Sequence, residues 1–279
     1  MFNQKKSCKK CGIQQPYKNF YKSKGYVQNV CKACQSKNVQ NNQKNAYKHR
    51  ANNILIIPDT HAPYHHPDTV AFLKAVADRY NPKQVIHLGD EVDNHAMSFH
   101  DTDPDLDNAG AELAKAREFI AELSKAFPKM VLMDSNHGSL LYRRGKAKGI
   151  PRAALVPYRE LLGAPEGWEW HFEYMVDDIL FCHGDGKRGD ALSAARYNFG
   201  SIVMGHHHSE FGIRWQAVQG NRMVFGMNAG CLIDDQSLAF GYNKKTSKRP
   251  VLGCGLLVNG NPILLPMKVD DNNRWIGEL

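Results

Sequence analysis

The chain has 279 residues, 42% hydrophobic and 23% charged, with a formal net charge of +8 at pH 7, ordinary proportions for a globular protein. No apolar run approaches the roughly 18–20 residues that a membrane-spanning helix needs, and the start, Met1-Phe2-Asn3-Gln4-Lys5-Lys6, lacks the apolar stretch of a secretory signal. The expected setting is therefore the cytoplasm, where thiols stay reduced, with no membrane partner.

The charge is uneven along the chain. Residues 1–50 hold 11 Lys and 1 Arg with no Asp or Glu, so this stretch carries +12 and leaves −4 for the rest. A short basic segment ahead of an acidic body suits contact with a polyanion; a solubilising tail is the plainer alternative. Within the segment, Cys8-Lys9-Lys10-Cys11 and Cys31-Lys32-Ala33-Cys34 form two C-x2-C pairs separated by 19 residues. Each pair makes a knuckle whose thiolates can share one ion, and two knuckles complete a tetrahedral site for one structural Zn2+. About 35 residues bury too little apolar surface to fold alone, so the metal is expected to supply much of the stability. Lysines alternate with aromatics from Pro16 to Tyr26, a pattern suited to phosphate contact and base stacking. Phe20 and one or two tyrosines are the candidates for the small core.

On the two cysteine pairs, Gly12, Pro16 and Phe20-Tyr21, this segment resembles the small zinc modules that precede many phage-type HNH homing endonucleases. The resemblance implies a phage-like origin and the cytoplasm of a bacterial host cell. No HNH nuclease motif follows, so any cutting falls to the second domain. The domain organisation reads as a four-cysteine zinc-binding module over 1–36, a basic linker or helix over 37–52, and the body over 53–279.

In the body, short apolar runs bounded by Gly, Pro or Asp read as buried strands: Ile54–Ile57, Val85–Leu88, Met130–Met133, Ile179–Phe181 and Ile202–Met204. Residues 67–80 and 109–127 show helical spacing, with Pro67 as a first-turn proline and Pro128 as a stop, and residues 214–268 read as strands and turns. After the apolar runs stand, in order, Asp59 and His61, Asp90 and Asp93, Asn136 and His137, His183, then His206 and His208. Each of these side chains can bind a hard or borderline metal or move a proton. Strands that deliver polar residues from their C-terminal ends gather one site from distant sequence in an α/β sandwich.

The blocks Asp59-Thr60-His61, Gly89-Asp90-Glu91-Val92-Asp93, Ser135-Asn136-His137-Gly138, His183 and Gly205-His206-His207-His208 follow the series D-x-H, G-D-x-x-D, G-N-H-D/E, H and G-H-x-H. Over residues 53–230 the chain thus resembles the calcineurin-like metallophosphoesterase superfamily. The resemblance implies an α/β fold, a two-sheet β-sandwich flanked by helices, here joined to the small N-terminal four-cysteine zinc module. It also implies two divalent ions in the active site, Mn2+ first, with Fe, Zn2+ or Ni2+ as alternatives. Asp59, His61, Asp90 and His208 are assigned to one ion, and Asp90, Asn136, His183 and His206 to the other. A hydroxide bridging the ions would attack phosphorus in line. His137 is the implied catalytic proton donor beside the bridging Asp90, and Asp93 is given a supporting hydrogen bond rather than a metal. Two places depart from the pattern: Ser135 replaces Gly, and Gly138 replaces the acid that orients the histidine. Either Asp134 or Asp185 serves instead, or His137 has a lowered pKa.

Among the remaining histidines, His87 is expected in the core and His207 is expected to point away from its ligand neighbours. His65 and His66 line the mouth or lie on the surface, as do His95 and His100. Cys182, Cys231 and Cys254 read as buried thiols. Arg143, Arg144, Lys187 and Arg188 are candidate substrate-binding cations for flanking phosphates, with a solvated helix face as the other reading. The function expected is a dinuclear-metal-dependent phosphodiesterase acting on nucleic acid, a nuclease or nicking endonuclease, with DNA ahead of RNA as partner. The alternative is a phosphatase or small-nucleotide phosphodiesterase targeted by its zinc module. A non-catalytic nucleic-acid-binding protein is disfavoured because every expected ligand is retained. The sequence leaves the oligomeric state open.

Overall fold

Short apolar runs whose side chains alternate between two packed faces form the central strands of the body. The computed structural model describes residues 5–23, 26–35, 52–99, 102–187, 190–198, 200–218, 222–240 and 248–279. The chain divides into two compact units, Met1–Arg50 and Ala51–Leu279. The linker expected over 37–52 lies, except for its last residue, outside the described residues. Among the described residues no helix is long and apolar enough to cross a membrane.

The first unit is two small antiparallel ladders. β1 (Lys5–Ser7) pairs with β2 (Gln14–Pro16), and β3 (Phe20–Ser23) with β4 (Tyr26–Cys31). Gly12, at φ +72°, closes the first knuckle by donating its N–H to the Cys8 carbonyl at 2.8 Å. Phe20, Cys8 and Cys31 form the buried centre, with Val27 and Val30 against them.

The second unit is built on two sheets. One has the strand order β15 (Asn261–Pro266), β14 (Gly253–Val258), β5 (Ile54–Ile57), β6 (Gln84–His87), β7 (Met130–Met133) and β8 (Trp168–His171). The other runs β12 (Phe211–Val218), β13 (Arg222–Ala229), β11 (Ser201–Met204), β10 (Ile179–Cys182) and β9 (Glu173–Val176). Period-2 alternation explains the layering. Ile54 and Ile56 join Ile86, Phe181, Val203 and Met227 in the core between the sheets. Leu55 and Ile57 turn outward to α1 (Thr69–Tyr80) and α2 (Ala109–Ala126), meeting Phe72, Leu73, Phe119 and Leu123. On the far side, Leu180, Cys182, Ile202 and Met204 pack on Ala191, Ala194 and Ala195 of α5 (Ala191–Asn198); the shorter α3 (Leu140–Ala147) and α4 (Tyr158–Leu162) precede it. The result is the expected α/β architecture, two multi-strand sheets flanked by helices. Burial on both faces is why these strands read as continuous apolar runs, each fully buried Ile or Leu contributing about 1.5–3 kcal/mol.

Helix ends follow local chemistry. Asn108 caps α2 by accepting from the Gly110 and Ala111 N–H groups, both at 3.1 Å, and the helix stops before Pro128 as expected. α1 starts at Thr69, two residues later than the proline suggests. The Asp68 carboxylate faces away from the helix, clasping the Arg274 guanidinium and accepting from the Trp275 N–H at 2.9 Å.

Candidate metal centre

β5, β6 and β7 run parallel, as do β10 and β11, so the turns after their C-terminal ends project together. His61, Asp90 and His206 hold positive φ angles of 50°, 48° and 65°, a region that costs a non-glycine residue about 1–3 kcal/mol. Specific bonds hold them there. The His61 N–H donates to the Asp90 carbonyl at 2.8 Å, the Asp90 N–H to Ser135 Oγ at 2.9 Å, and the His206 N–H to Asp59 Oδ2 at 2.9 Å. Gly205 is required by close approach, since a Cβ there would stand 2.3 Å from Asp59 Oδ1.

Asp90 Oδ2 lies at the middle of the constellation, 3.4 Å from His61 Nε2 and 3.2 Å from His183 Nε2. On one side, His61 Nε2 is 3.2 Å from His208 Nε2, which is 3.1 Å from Asp59 Oδ2. On the other, His183 Nε2 is 2.8 Å from Asn136 Oδ1, and the His206 ring stands edge-on to that of His183. Ligand atoms of Asp59, His61 and His208 lie within 4.8 Å of one another, as do those of Asp90, His183 and His206, and those of His61, Asp90 and His137.

The donor chemistry decides whether metals fit. His61 Nδ1 faces Asp93 Oδ1 at 2.5 Å, and His183 Nδ1 faces the Leu88 carbonyl at 2.8 Å. An acceptor at Nδ1 takes the single proton of a neutral imidazole, so each Nε2 presents a bare lone pair. Those lone pairs face carboxylate and amide oxygens or another ring nitrogen. Acceptors set against acceptors repel, and a cation turns the same geometry into ligation. Asp59 Oδ1 adds a buried oxygen with no hydrogen-bond partner. The residues fit two divalent ions sharing Asp90. The same field governs the proton equilibria. Burial disfavours a charged His183, but Asp90 and Asp59 outweigh it and lift its pKa to about 10, so in the absence of a metal a proton on Nε2 satisfies the facing oxygens, the place a divalent ion would take. Burial likewise opposes ionisation of Asp90, yet His183, His137 and His61 hold its carboxyl well below the usual carboxylate range.

No family model and no curated protein matches the chain. Solved structures similar to it include the phosphoesterase Yfce of E. coli, 13% identical with a TM-score of 0.37, covering 77% of this chain and 100% of that one. Another is the nuclease MPE of Pseudomonas putida, 14% identical with a TM-score of 0.31, covering 78% and 88%. Likenesses this weak assign nothing by themselves. The geometry carries the reading.

The two departures in the third block prove to be one unit. Ser135 Oγ accepts from the Asp90 N–H at 2.9 Å and the Gly138 N–H at 3.1 Å. A Cβ at position 138 would meet that Oγ at 2.9 Å and Tyr158 Oη at 3.1 Å. A side chain at 138 would therefore force Ser135 Oγ to shift, away from the place where it accepts the Asp90 N–H. Gly138→Asp alone is expected to destabilise the body by about 1–3 kcal/mol through overpacking. Adding Ser135→Gly should recover about 1 kcal/mol or more of that loss. Urea unfolding of both single variants and the double checks this; strictly additive effects would refute the coupling.

Neither Asp134 nor Asp185 orients His137; both are exposed. Asp93 does so instead, its carbonyl 2.5 Å and its Oδ1 3.3 Å from His137 Nδ1. The same Oδ1 also faces His61, so one carboxylate aligns two imidazoles. Nor is the pKa of His137 lowered: against the effect of burial, Asp90 and Asp93 raise it. Asn94, unremarked in the sequence, donates from Nδ2 to the His137 carbonyl at 3.0 Å. Glu91, hidden inside the second block, is buried with Oε1 on Trp170 Nε1 at 2.9 Å; burial pushes its pKa up to about 7.

Other polar residues have structural partners. His87 is buried, with Nε2 3.2 Å from Thr60 Oγ1 and Nδ1 accepting from the Gly89 N–H. His66 pairs with the Asn273 carbonyl at 2.9 Å and His65 stacks on Phe119, so both serve packing rather than the mouth or surface. His95 Nε2 accepts from the Asp103 N–H at 3.0 Å. His207 joins none of the ligand groups. Arg143 donates to the Asn136 carbonyl at 2.6 Å, Arg144 to the Met97 carbonyl at 2.8 Å, and Lys187 pairs with Glu173 Oε1 at 2.8 Å. Arg188 and His100 lie outside the described residues.

In the first unit, Cys8, Cys11, Cys31 and Cys34 bring their sulfurs within 4.8 Å of one another, as thiolates sharing one ion at roughly 2.3 Å must. Cys8 Sγ accepts from the Cys31 N–H at 3.3 Å and the Lys10 N–H at 3.4 Å. The Cys31 N–H, ahead of the other bonds, brings the Cys8 thiol down to about 6, while the Cys31 side chain, ahead of burial, pushes Cys34 up to about 12; the cluster shares its protons, and a metal would displace them. Tyr21 is exposed, with Lys32 Nζ 5.3 Å from its ring centre.

Proposed function

We propose that the protein is a metal-dependent phosphodiesterase that cuts nucleic acid, as a nuclease or nicking endonuclease, with DNA ahead of RNA. The observation that carries the phosphoester chemistry is the single oxygen, Asp90 Oδ2, placed 3.4 and 3.2 Å from ligand nitrogens of two separate groups. Asp59, His61, Asp90 and His208 would hold one ion, and Asp90, Asn136, His183 and His206 the other, Mn2+ being the first candidate. Two such ions supply positive charge for the phosphoryl oxygens and acidify water to near neutrality. The chain's own residues do the rest. Asp93 fixes the ring of His61 so that Nε2 faces the centre. It also occupies His137 Nδ1, which leaves Nε2 as the atom that can pass a proton to the leaving oxygen. The Asp90 backbone, held by Ser135 Oγ, keeps the shared carboxylate aimed at both groups.

The nucleic-acid assignment rests on the +12 of residues 1–50 against the −4 of the body. With one structural Zn2+ on four thiolates the segment still carries about +10, enough to attract a phosphate backbone and make binding fall steeply with salt. Deletion of residues 1–50 is expected to weaken binding of DNA or RNA and flatten its salt dependence, while hydrolysis of a small chromogenic diester continues. Incubation with Mn2+ and supercoiled plasmid, linear duplex, single strands, a chromogenic diester and a chromogenic monoester tests the substrate class. Preference for diesters with nicking or cutting supports the proposal. Preference for the monoester would replace it with a phosphatase targeted by its zinc module.

A further inference from the structure

Between Asp134 and Glu160 the chain has no acidic residue but carries Arg143, Arg144, Lys146, Lys148, Arg152 and Arg159. This is a local concentration of +6 in a body that is acidic overall. The block begins just after His137 and includes α3 and the 3-10 turn Arg152–Ala154. None of the first five cations has a carboxylate partner among the described residues. Two exposed aromatics stand among these cations, Phe99 at 49% and Tyr142 at 39% exposure. The Arg144 and Arg143 guanidinium groups lie 4.2 and 5.4 Å from the Phe99 ring centre, and that of Arg152 lies 5.4 Å from the Tyr142 ring. Carbonyl bonds to Met97 and Asn136 hold Arg144 and Arg143 in these positions. A merely solvated helix face would mix both signs of charge and hide its aromatics.

The surface also adjoins the metal centre. Arg143 Nη2 sits 2.6 Å from the carbonyl of Asn136, and Asn94, one residue from the 3-10 turn His95–Met97 that leads to Phe99, holds the carbonyl of His137. We infer that this face docks an unpaired nucleic-acid strand flanking the bond to be cut, with bases stacked on Phe99 and Tyr142 and phosphates on Lys146, Lys148 and Arg152. The inference deepens the proposed function and rests on it for the identity of the cut polymer. Unpaired bases are required because an exposed ring can stack only on a base whose face is free, whereas phosphate contact alone would accept a duplex. Tyr142 and Lys146, four residues apart on α3, share one face and can serve the same strand.

Fluorescence anisotropy of the full-length, metal-loaded protein with a labelled phosphorothioate single strand reads the docking face without relying on turnover. The triple variant Lys146→Ala/Lys148→Ala/Arg152→Ala is expected to lose about tenfold or more in affinity, and the slope of log K against log salt should fall by about 2, at roughly 0.7 per phosphate contact. Phe99→Ala should weaken the single strand about fivefold or more and spare the matching duplex, and Phe99→Tyr should restore it. Lys146→Glu, at an exposed position, gives the same test with no change in packing. Unchanged affinity and salt slope in variants with the wild-type melting transition would overturn the inference. Competition by an acidic polyglutamate peptide as effective as by the oligonucleotide would also overturn it, in favour of a protein partner. A protein that cuts strands yet binds them equally without these side chains refutes the docking face alone. One that binds strands through them but hydrolyses only monoesters retains the docking face and loses the nuclease reading.

Discussion

Asp90→Asn is expected to lower turnover of a chromogenic phosphodiester by about 10³-fold or more. The substitution preserves shape, so the effect isolates one oxygen. Asp90 Oδ1 accepts the His137 N–H at 2.9 Å while Oδ2 faces His61 and His183. An amide can satisfy only one of these demands. With its oxygen on the His137 N–H, its NH2 occupies the shared position and cannot ligate. Turned over, it sets NH2 against the His137 N–H, donor against donor. Metal content after dialysis against Mn2+ should fall with activity, because one position serves both groups. Turnover within about tenfold of the wild type would refute the shared-carboxylate reading.

Cys31→Ser is expected to unfold the first unit and leave the second intact. A structural Zn2+ of this kind contributes an apparent binding free energy on the order of 10–16 kcal/mol at neutral pH, and a serine hydroxyl does not ionise there to replace the thiolate. The unit has little else to hold it, since its buried centre is Phe20 with Cys8 and Cys31 themselves. The Cys31 N–H that donates to Cys8 Sγ belongs to the backbone and survives the substitution, so the loss is that of the Cys31 thiolate itself. Limited proteolysis should cut the basic segment rapidly, zinc per chain should drop by one ion, and the melting transition of the body should hold. Unchanged zinc content would rule out the four-thiolate site.

Much of this organisation was legible in the chain itself. The apolar runs at Ile54–Ile57, Met130–Met133 and Ile179–Phe181 declared strands because burial on both faces leaves no polar position to confuse the pattern. Trp168–His171 and Glu173–Val176 gave no such signal, being half-exposed edge strands with mixed sequence. The polar residues after the runs announced a metal chemistry through residue type and order. His65 and His66 misled, because a histidine beside a site motif has the same letter whether it stacks on Phe119 or faces substrate.

What the sequence determined by itself was therefore the kind of atom offered at each place: carboxylate, amide and imidazole after buried strands, thiolates in pairs, lysines without acids. Those are local properties, set by residue identity and spacing. The tertiary structure alone decided which atoms meet. It placed Asp93 rather than Asp134 or Asp185 on His137, made Ser135 and Gly138 a single steric unit, committed Arg143 and Arg144 to carbonyls, and brought Phe99 beneath their guanidinium groups. Such pairings depend on backbone turns at positive φ and on contacts between residues distant in the chain, and no periodicity or spacing encodes them.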